Sequence, residues 1–238
     1  MLRLATVLAR GGSKGLAGKN ARPFGGMPLL ARTILQAKGC GLFDVVAFSS
    51  DSLELLEIAQ SAGADELIHR PAELANDTIS KLPGIRHALA TVEQRRSARF
   101  DEIADLAVTS PLRSAEDIAG ALRLRESTGA PVVLSANSAK DNPYFNIVEH
   151  GPNGQIRLCR EPADPVRARQ SAPECYALNG AVYIWTRFEL LKDEDAVVRP
   201  LARVFLMPAE RSVDIDDEQD FAFAEFIDDR SHKLQPGG

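Results

Sequence analysis

The stretch Leu4-Ala-Thr-Val-Leu-Ala-Arg-Gly-Gly-Ser-Lys-Gly-Leu-Ala-Gly-Lys-Asn-Ala-Arg22 decides how the rest of the chain is read. Leu4–Leu8 has the apolar character of a buried strand. From Arg10 to Arg22 follow four glycines and four cations (Arg10, Lys14, Lys19, Arg22) without one acid. Glycine lets backbone N–H groups turn inward and approach a ligand, and the cations neutralise an anion that arrives there. A loop after the first strand and before a helix is the usual seat of phosphate groups. In a chain of net charge −5, this positive block reads as a polyphosphate loop. Spacing excludes two common versions of it. A Walker A loop needs a glycine where Ser13 stands and a Ser or Thr where Asn20 follows Lys19. The dinucleotide fingerprint Gly-x-Gly-x-x-Gly does not occur.

Working outward, 238 residues suit one large domain, or one with a smaller appendage. A content of 45% hydrophobic and 26% charged residues fits a soluble globular protein with a sizeable core. The acidic balance argues against a nucleic-acid binder. No apolar run approaches membrane-spanning length, and Arg10 interrupts the apolar start, which therefore reads as a strand rather than a signal peptide. The cysteines Cys40, Cys159 and Cys175 are irregularly spaced, as expected of reduced thiols in the cytoplasm. The histidines are scattered without metal-ligand spacing.

Strand and helix patterns alternate through the first part of the chain. Strands are expected at Val45–Ser49, Ile103–Val108 and Val132–Ala136. Helices are expected at Leu29–Lys38, Leu53–Ser61 and Pro83–Gln94, and from Ser114 to about Glu126. Ser50-Asp-Ser52 offers N-cap chemistry to the second helix, and Ser114 with the acids after it does so for the fourth. Such alternation implies a three-layer α/β domain with a mainly parallel mixed sheet. After Lys140 the rhythm changes. Pro143–Val148 and Gln155–Leu158 read as a hairpin across Gly151-Pro-Asn-Gly154, and Arg160–Pro173 has no regular pattern. Strand character returns at Ala181–Trp185 and Val204–Leu206. A closing helix is expected at Asp217–Asp228 with its phenylalanines in the core, then a flexible tail at 231–238. The main domain is thus placed at 1–230.

Asp214-Ile-Asp216 precedes that helix. Alternate residues of an extended segment share a side, so both carboxylates can face one site with Ile215 packed behind. Two carboxylates beside a triphosphate describe a Mg²⁺ site; the competing reading is that Asp216 or Asp217 caps the helix.

Ala9-Arg-Gly-Gly-Ser-Lys-Gly15 with Gly18-Lys-Asn20 resembles the amino-terminal signature of the sugar nucleotidyltransferases, in particular the CMP–acylneuraminate synthetases of the cytidylyltransferase branch. Arg70-Pro-Ala-Glu-Leu-Ala-Asn-Asp-Thr78, Thr109-Ser-Pro-Leu-Arg113, Leu178-Asn-Gly-Ala-Val-Tyr183 and Ser212-Val-Asp-Ile-Asp216 recur there in this order. The resemblance implies a Rossmann-like nucleotidyltransferase that moves CMP from CTP to the anomeric hydroxyl of a nine-carbon 2-keto sugar acid, with release of pyrophosphate. It implies Arg10, Lys14, Lys19 and Asp216 as catalytic residues and Asp214 with Asp216 as the Mg²⁺ ligands. Nucleotide contacts are expected from Ala9, Gly11, Gly12, Ser13, Asn20, Arg70, Asp77, Thr78 and Lys81. Asn76-Asp77-Thr78 reads equally as the N-cap of the helix that follows. Sugar contacts are expected from Thr109, Arg169, Gln170, Tyr176, Asn179 and Gly180. Residues of about 140–177 either form an insertion that builds a homodimer, from which Arg169-Gln170 reach the partner's sugar site, or a long surface loop.

The chain also departs from the pattern of the sialic-acid enzymes. Ala107 stands where those enzymes have a glutamine associated with the sugar, Lys81 where a serine is common, and Ala177 where an arginine is common. Losing an amide changes the preference of a polar site. Asn142-Pro-Tyr-Phe-Asn146 is closer to enzymes for legionaminic-type sugars. The acceptor is therefore expected to be a nonulosonic acid of sialic or legionaminic type, with a CMP–Kdo synthetase and a catalytically silent nucleotide binder as the rival readings.

Overall fold

A computed structural model describes residues 1–12, 15–76, 80–161, 164 and 166–234, the last three by their backbone only. In chain order the elements are β1 (Arg3–Leu8), a small hairpin of β2 (Pro23–Phe24) and β3 (Met27–Pro28), α1 (Leu29–Gly39), β4 (Val45–Ser50), α2 (Leu53–Ser61) and β5 (Glu66–His69). Then come α3 (Leu82–Arg96), β6 (Glu102–Asp105), α4 (Ala115–Thr128) and β7 (Val132–Ser138). The exposed hairpin β8 (Val148–His150) and β9 (Ile156–Leu158) precedes β10 (Tyr176–Thr186), α5 (Arg187–Leu190), β11 (Arg203–Leu206) and α6 (Glu218–Leu234).

Seven strands form the central sheet in the order β11-β7-β10-β6-β1-β4-β5. Its pairings are parallel except those of β10, which runs against both β6 and β7. The inner strands are buried on both faces, and their side chains divide with a period of two. Ala5, Val7, Val46, Phe48, Val182 and Ile184 meet α1, α2, α4 and α6 on one face. Leu4, Val45, Ala47, Ile103, Tyr183 and Trp185 meet α3 and α5 on the other. This is why the strand segments carry near-continuous apolar runs.

Local chemistry starts the helices where the sequence suggests. Ser52 Oγ accepts the Leu55 N–H at 3.4 Å. Ser114 and Asp117 form a reciprocal capping box, the side chain of each accepting the other's backbone N–H at 3.2 and 2.9 Å; such a cap contributes about 1 kcal/mol.

Four local expectations are corrected. Pro143–Ile147 is a turn held by Asn142, whose carbonyl accepts the N–H groups of Phe145, Asn146 and Ile147, so the hairpin strand begins only at Val148. β6 ends at Asp105, because the chain turns there into the Thr109-Ser-Pro segment. α6 runs on through Leu234, which makes 231–234 helical; Gln235–Gly238 lie outside the described residues. Phe223 and Phe226 are exposed, whereas Phe221 is buried and packs edge-on against Phe24 at 5.7 Å. The helical period turns only the Phe221/Ala224 stripe toward the sheet.

Candidate active site

A cleft of about 590 Å³ opens at the carboxyl ends of β1, β5 and β6, where ligands bind in open α/β sheets. One wall is the glycine-rich loop. Ala9 N–H donates to Ser49 at 3.1 Å and the Gly11 N–H to Asp51 Oδ1 at 2.9 Å, which aligns the start of the loop with β4 and its following turn. Buried Asn20 donates its Nδ2 to the Arg10 carbonyl at 3.0 Å and so folds the loop back on itself. Buried Arg70 donates to the Ala9 carbonyl at 2.8 Å. Burial lowers the Arg70 pKa from its ordinary value, partly offset by Asp51. Arg70 therefore supports the loop as well as lining the cleft.

The opposite wall brings in residues from the other end of the chain. Lys19 Nζ donates to the Ile215 carbonyl at 2.7 Å and to Asp216 Oδ1 at 3.1 Å. Ile215 is fully buried and its N–H donates to the Thr109 carbonyl at 2.8 Å. A Cβ on Gly15 would stand 2.3 Å from the Asp216 carbonyl oxygen, so the loop and the acidic segment meet where only glycine fits. Arg22 is drawn out of the expected phosphate cradle. Its guanidinium pairs with Glu218 at 2.6 and 2.7 Å and lies over the Phe221 ring at 4.1 Å. It clamps the end of the loop to α6.

The helix-cap reading of the acids is resolved by a division of labour. Asp217 Oδ1 accepts the N–H groups of Gln219 and Asp220 at 2.8 and 3.0 Å and caps α6. Asp216 is left with a side chain 80% exposed, toward Lys19 and the cleft. Asp214 keeps solvent-exposed surface, yet the protein around it desolvates its carboxyl and raises its pKa. The Asp216 charge adds to this, while a hydrogen bond from Thr109 and the charges of Lys19 and Lys81 oppose it. Two carboxylates that repel one another in this way are a natural partner for a divalent cation. Among the described residues no third acid, histidine or cysteine joins them. A donor set of two carboxylate groups fits Mg²⁺, which keeps several waters and takes phosphate oxygens.

The remaining sequence-expected residues divide into groups. Thr109 and Lys81 line the cleft. Gly11 and Gly12 lie exposed on the loop, and Ser13, Lys14, Asp77 and Thr78 lie outside the described residues. Arg169, Gln170 and Tyr176 stand on the exposed 140–177 segment, away from the cleft walls. Gly180 adopts φ +68 at an irregularity in β10 and faces Ala107. The expectation that Asn179 contacts sugar does not match its environment. Its buried Oδ1 accepts from Ser135 Oγ at 2.6 Å and its Nδ2 donates to Ser212 Oγ at 2.9 Å. Its amide thus ties β10 to β7 and to the segment leading into Asp214.

Two residues were not singled out from sequence. Asp105 is buried at the end of β6 and pairs with Lys81; an acid inside the apolar run Ile103–Val108 was the available signal. Arg113, fully buried, donates to the carbonyls of Ala107 and Ala181 at 3.1 and 2.7 Å and to Gln36 Oε1 at 2.9 Å. Burial lowers its pKa to about 10, still charged at neutral pH. It fastens the cleft floor from behind.

Comparisons with known proteins agree with this geometry. A family model described as cytidylyltransferase matches residues 4–138. The CMP-N,N'-diacetyllegionaminic acid synthase of Campylobacter jejuni is 38% identical over 224 residues, 94% of each chain. Post-translational flagellin modification protein B of Campylobacter coli is 36% identical over 224 residues, again 94% of each chain. A CMP:2-keto-3-deoxy-manno-octonic acid synthetase complexed with CTP superposes with a TM-score of 0.67 at 15% identity, covering 98% of this chain and 100% of that one. That likeness is one of fold. With the loop, the acidic pair and the sheet order in place, this chain belongs to the cytidylyltransferase family.

Proposed function

We propose that the protein transfers CMP from CTP to the anomeric hydroxyl of a nonulosonic acid and releases pyrophosphate. The observation that carries the reading is the junction of Lys19 with Ile215 and Asp216, which joins a cationic glycine loop to an acidic pair at the sheet's carboxyl edge. The names of relatives such as the CMP-N,N'-diacetyllegionaminic acid synthase support the acceptor class.

In this reaction the acceptor hydroxyl gives its proton to solvent and its oxygen bonds to the α-phosphorus as the bond to the β-phosphate oxygen breaks. CTP and a sugar acid are both anions, so the protein's first task is to hold them together. The loop N–H groups with Arg10, Lys14 and Lys19 bind the triphosphate and offset the charge that gathers on the leaving pyrophosphate. Asn20 and Arg70 keep the loop in its binding shape through the Arg10 and Ala9 carbonyls. Asp214 and Asp216 hold Mg²⁺, which when bound polarises the phosphate oxygens. Thr109 holds the acidic segment in place through its carbonyl, which accepts the Ile215 N–H. Asp77 and Thr78 are assigned to the nucleotide, Arg169 and Gln170 to the sugar of a neighbouring subunit, and Tyr176 to the sugar pocket or the dimer contact.

That last role needs a homodimer built on residues 140–177. Exposed Ile147, Val148, Ile156, Tyr176 and Leu178 on and beside the hairpin favour it. The three cysteines are unpaired and no described helix is long and apolar enough to cross a membrane, which fits work in the cytoplasm. The test is pyrophosphate release from CTP and Mg²⁺ with sialic, legionaminic and pseudaminic acids and Kdo. Release with the nine-carbon acids is the expected result; release with Kdo alone, or with none of them, contradicts the reading.

A further inference from the structure

Behind the acidic pair lies a buried polar network centred on Asn179. The network sits at the irregularity in β10, where the register against β7 shifts between Leu178 and Tyr183 and Gly180 takes φ +68°. Asn179 is 5% exposed, and Ser135 and Ser110 beside it are fully buried. Asn179 Oδ1 accepts from Ser135 Oγ at 2.6 Å and from the Ala181 N–H at 3.2 Å. Its Nδ2 donates to Ser212 Oγ at 2.9 Å, and that hydroxyl donates in turn to the Pro208 carbonyl at 2.8 Å. The Asn179 main-chain carbonyl accepts from Ser110 Oγ at 3.3 Å.

Both arms of this network lead to the acids. Ser212 stands two residues before Asp214, and Ser110 follows Thr109, whose carbonyl accepts the Ile215 N–H at 2.8 Å. The acidic segment is therefore held just before Asp214 and again between Asp214 and Asp216, with Asn179 joined to both holds. The chemistry suits an amide. A carboxylate could not donate to Ser212, and an apolar side chain would leave both serines unanswered. Neither Asn179 nor Ser212 is among the described residues that line the cleft, so any effect on the reaction passes through the acids. Two carboxylates close together repel one another until a cation arrives, and Mg²⁺ demands near-ideal octahedral geometry of its ligands. A segment that keeps its shape without the ion meets both conditions.

We infer that Asn179 and Ser212 are positioning residues that hold the Asp214–Asp216 segment in its metal-binding shape before the cation arrives. The inference rests on the reading of Asp214 and Asp216 as Mg²⁺ ligands and names what sets their geometry.

The test uses Mn²⁺ as the probe, read by water-proton relaxation, which separates the ion in the protein–CTP complex from the ion on free CTP. It is titrated with CTP into the native chain, Ser212→Ala, Ser212→Thr and Asp216→Ala, with thermal melts to verify folding. Ser212→Ala removes the hydroxyl between Asn179 and Pro208 and should weaken Mn²⁺ binding at least about tenfold, as loss of an outer partner of a metal ligand does. Ser212→Thr keeps the hydroxyl and should restore the native affinity. CTP binding measured in EDTA should be unchanged in both. Asn179→Asp keeps the acceptor but loses the donor to Ser212, and should match Ser212→Ala; if it does not fold, the two Ser212 variants decide. Native Mn²⁺ affinity in Ser212→Ala, a Ser212→Thr as weak as Ser212→Ala, or an equal loss of CTP binding in EDTA would overturn the assignment, while loss of the ion in Asp216→Ala would leave the metal reading standing. Native Mn²⁺ affinity in Asp216→Ala would overturn the metal reading, and this assignment with it.

Discussion

The polyphosphate loop and the 140–177 segment are both rich in turns and charge, yet they are built in opposite ways. The loop is tied at both of its ends. Ala9 is held by Ser49 and Arg70, Arg10 by Asn20, Gly11 by Asp51, and Lys19 by the Ile215–Asp216 segment. The later segment carries an exposed hairpin whose Val148 and Ile156 face solvent, and its ion pair Arg157–Glu149 lies on the surface. Surface pairs of that kind contribute little. The contrast indicates that the ends of the loop derive their order from the rest of this chain, whereas the hairpin leaves apolar side chains exposed, the surface on which the proposed homodimer would form. Preorganisation belongs to the first region, and assembly is the role proposed for the second.

The largest expected effect breaks the comparison at the junction. Asp216→Ala should lower pyrophosphate release by roughly a thousandfold, as expected for removal of a group that stabilises transferring charge. Its melting temperature should stay near the native value, since the side chain is 80% exposed and Asp217 keeps the helix cap. Near-native turnover would remove Asp216 from the mechanism.

Gly15→Ala is the next test. The added Cβ meets the Asp216 carbonyl oxygen at 2.3 Å, so loop and acidic pair must part. A displacement on the order of 1 Å at a reacting centre can cost about a hundredfold in rate. Steady-state kinetics should show that loss mainly in kcat, with the protein still folded by circular dichroism.

The hairpin gives the reverse pattern. Val148→Asp with Ile156→Lys should shift the protein from dimer to monomer in sedimentation, while the thermal stability of the central domain changes by less than about 0.5 kcal/mol, as is usual for exposed positions. Activity should fall in proportion to the lost dimer. A double variant that stays dimeric would move the assembly surface elsewhere.

The smallest effect sharpens what holds the α4 edge of the site together. Burial pushes the Asp117 carboxyl up, but hydrogen bonds from Arg211 and Ser114 outweigh that and hold it below its ordinary value. A depressed carboxylate contributes stability above its unfolded pKa, and that contribution is lost as pH falls through the folded value. Denaturant melts should therefore weaken on the acid side of about pH 4, and Arg211→Met should flatten that dependence. An unchanged acid limb in the variant would assign the effect to other carboxylates.

How much of this was legible in the sequence depends on whether an element's partners are local. α2 announced itself through Ser52 and α4 through Ser114, because caps are decided within a single turn. The buried strands showed as apolar runs, because both faces of the sheet are covered. β5 was missed: Glu66–His69 is short and its pattern of Glu, Leu, Ile and His is not distinctive. Pro143–Ile147 looked extended, but Asn142 wins it for a turn with several hydrogen bonds that apolar periodicity cannot display.

The site followed the same rule. The alternation of Asp214-Ile-Asp216 was readable, with Ile215 buried and both acids exposed; their metal role remains part of the proposal. The roles of Asn179 and Arg113 were not readable, because each is defined by partners from distant strands and loops. Motif membership placed Asn179 near sugar, whereas its hydrogen bonds place it in the frame beneath.

The most direct test of the central claim is phosphorus NMR of the protein with CTP, Mg²⁺ and N,N'-diacetyllegionaminic or N-acetylneuraminic acid. The account predicts a new phosphodiester resonance and pyrophosphate in equal amounts, and neither signal when the acid is withheld. Unchanged CTP with both acids, or pyrophosphate appearing with free CMP regardless of the acid, would contradict it.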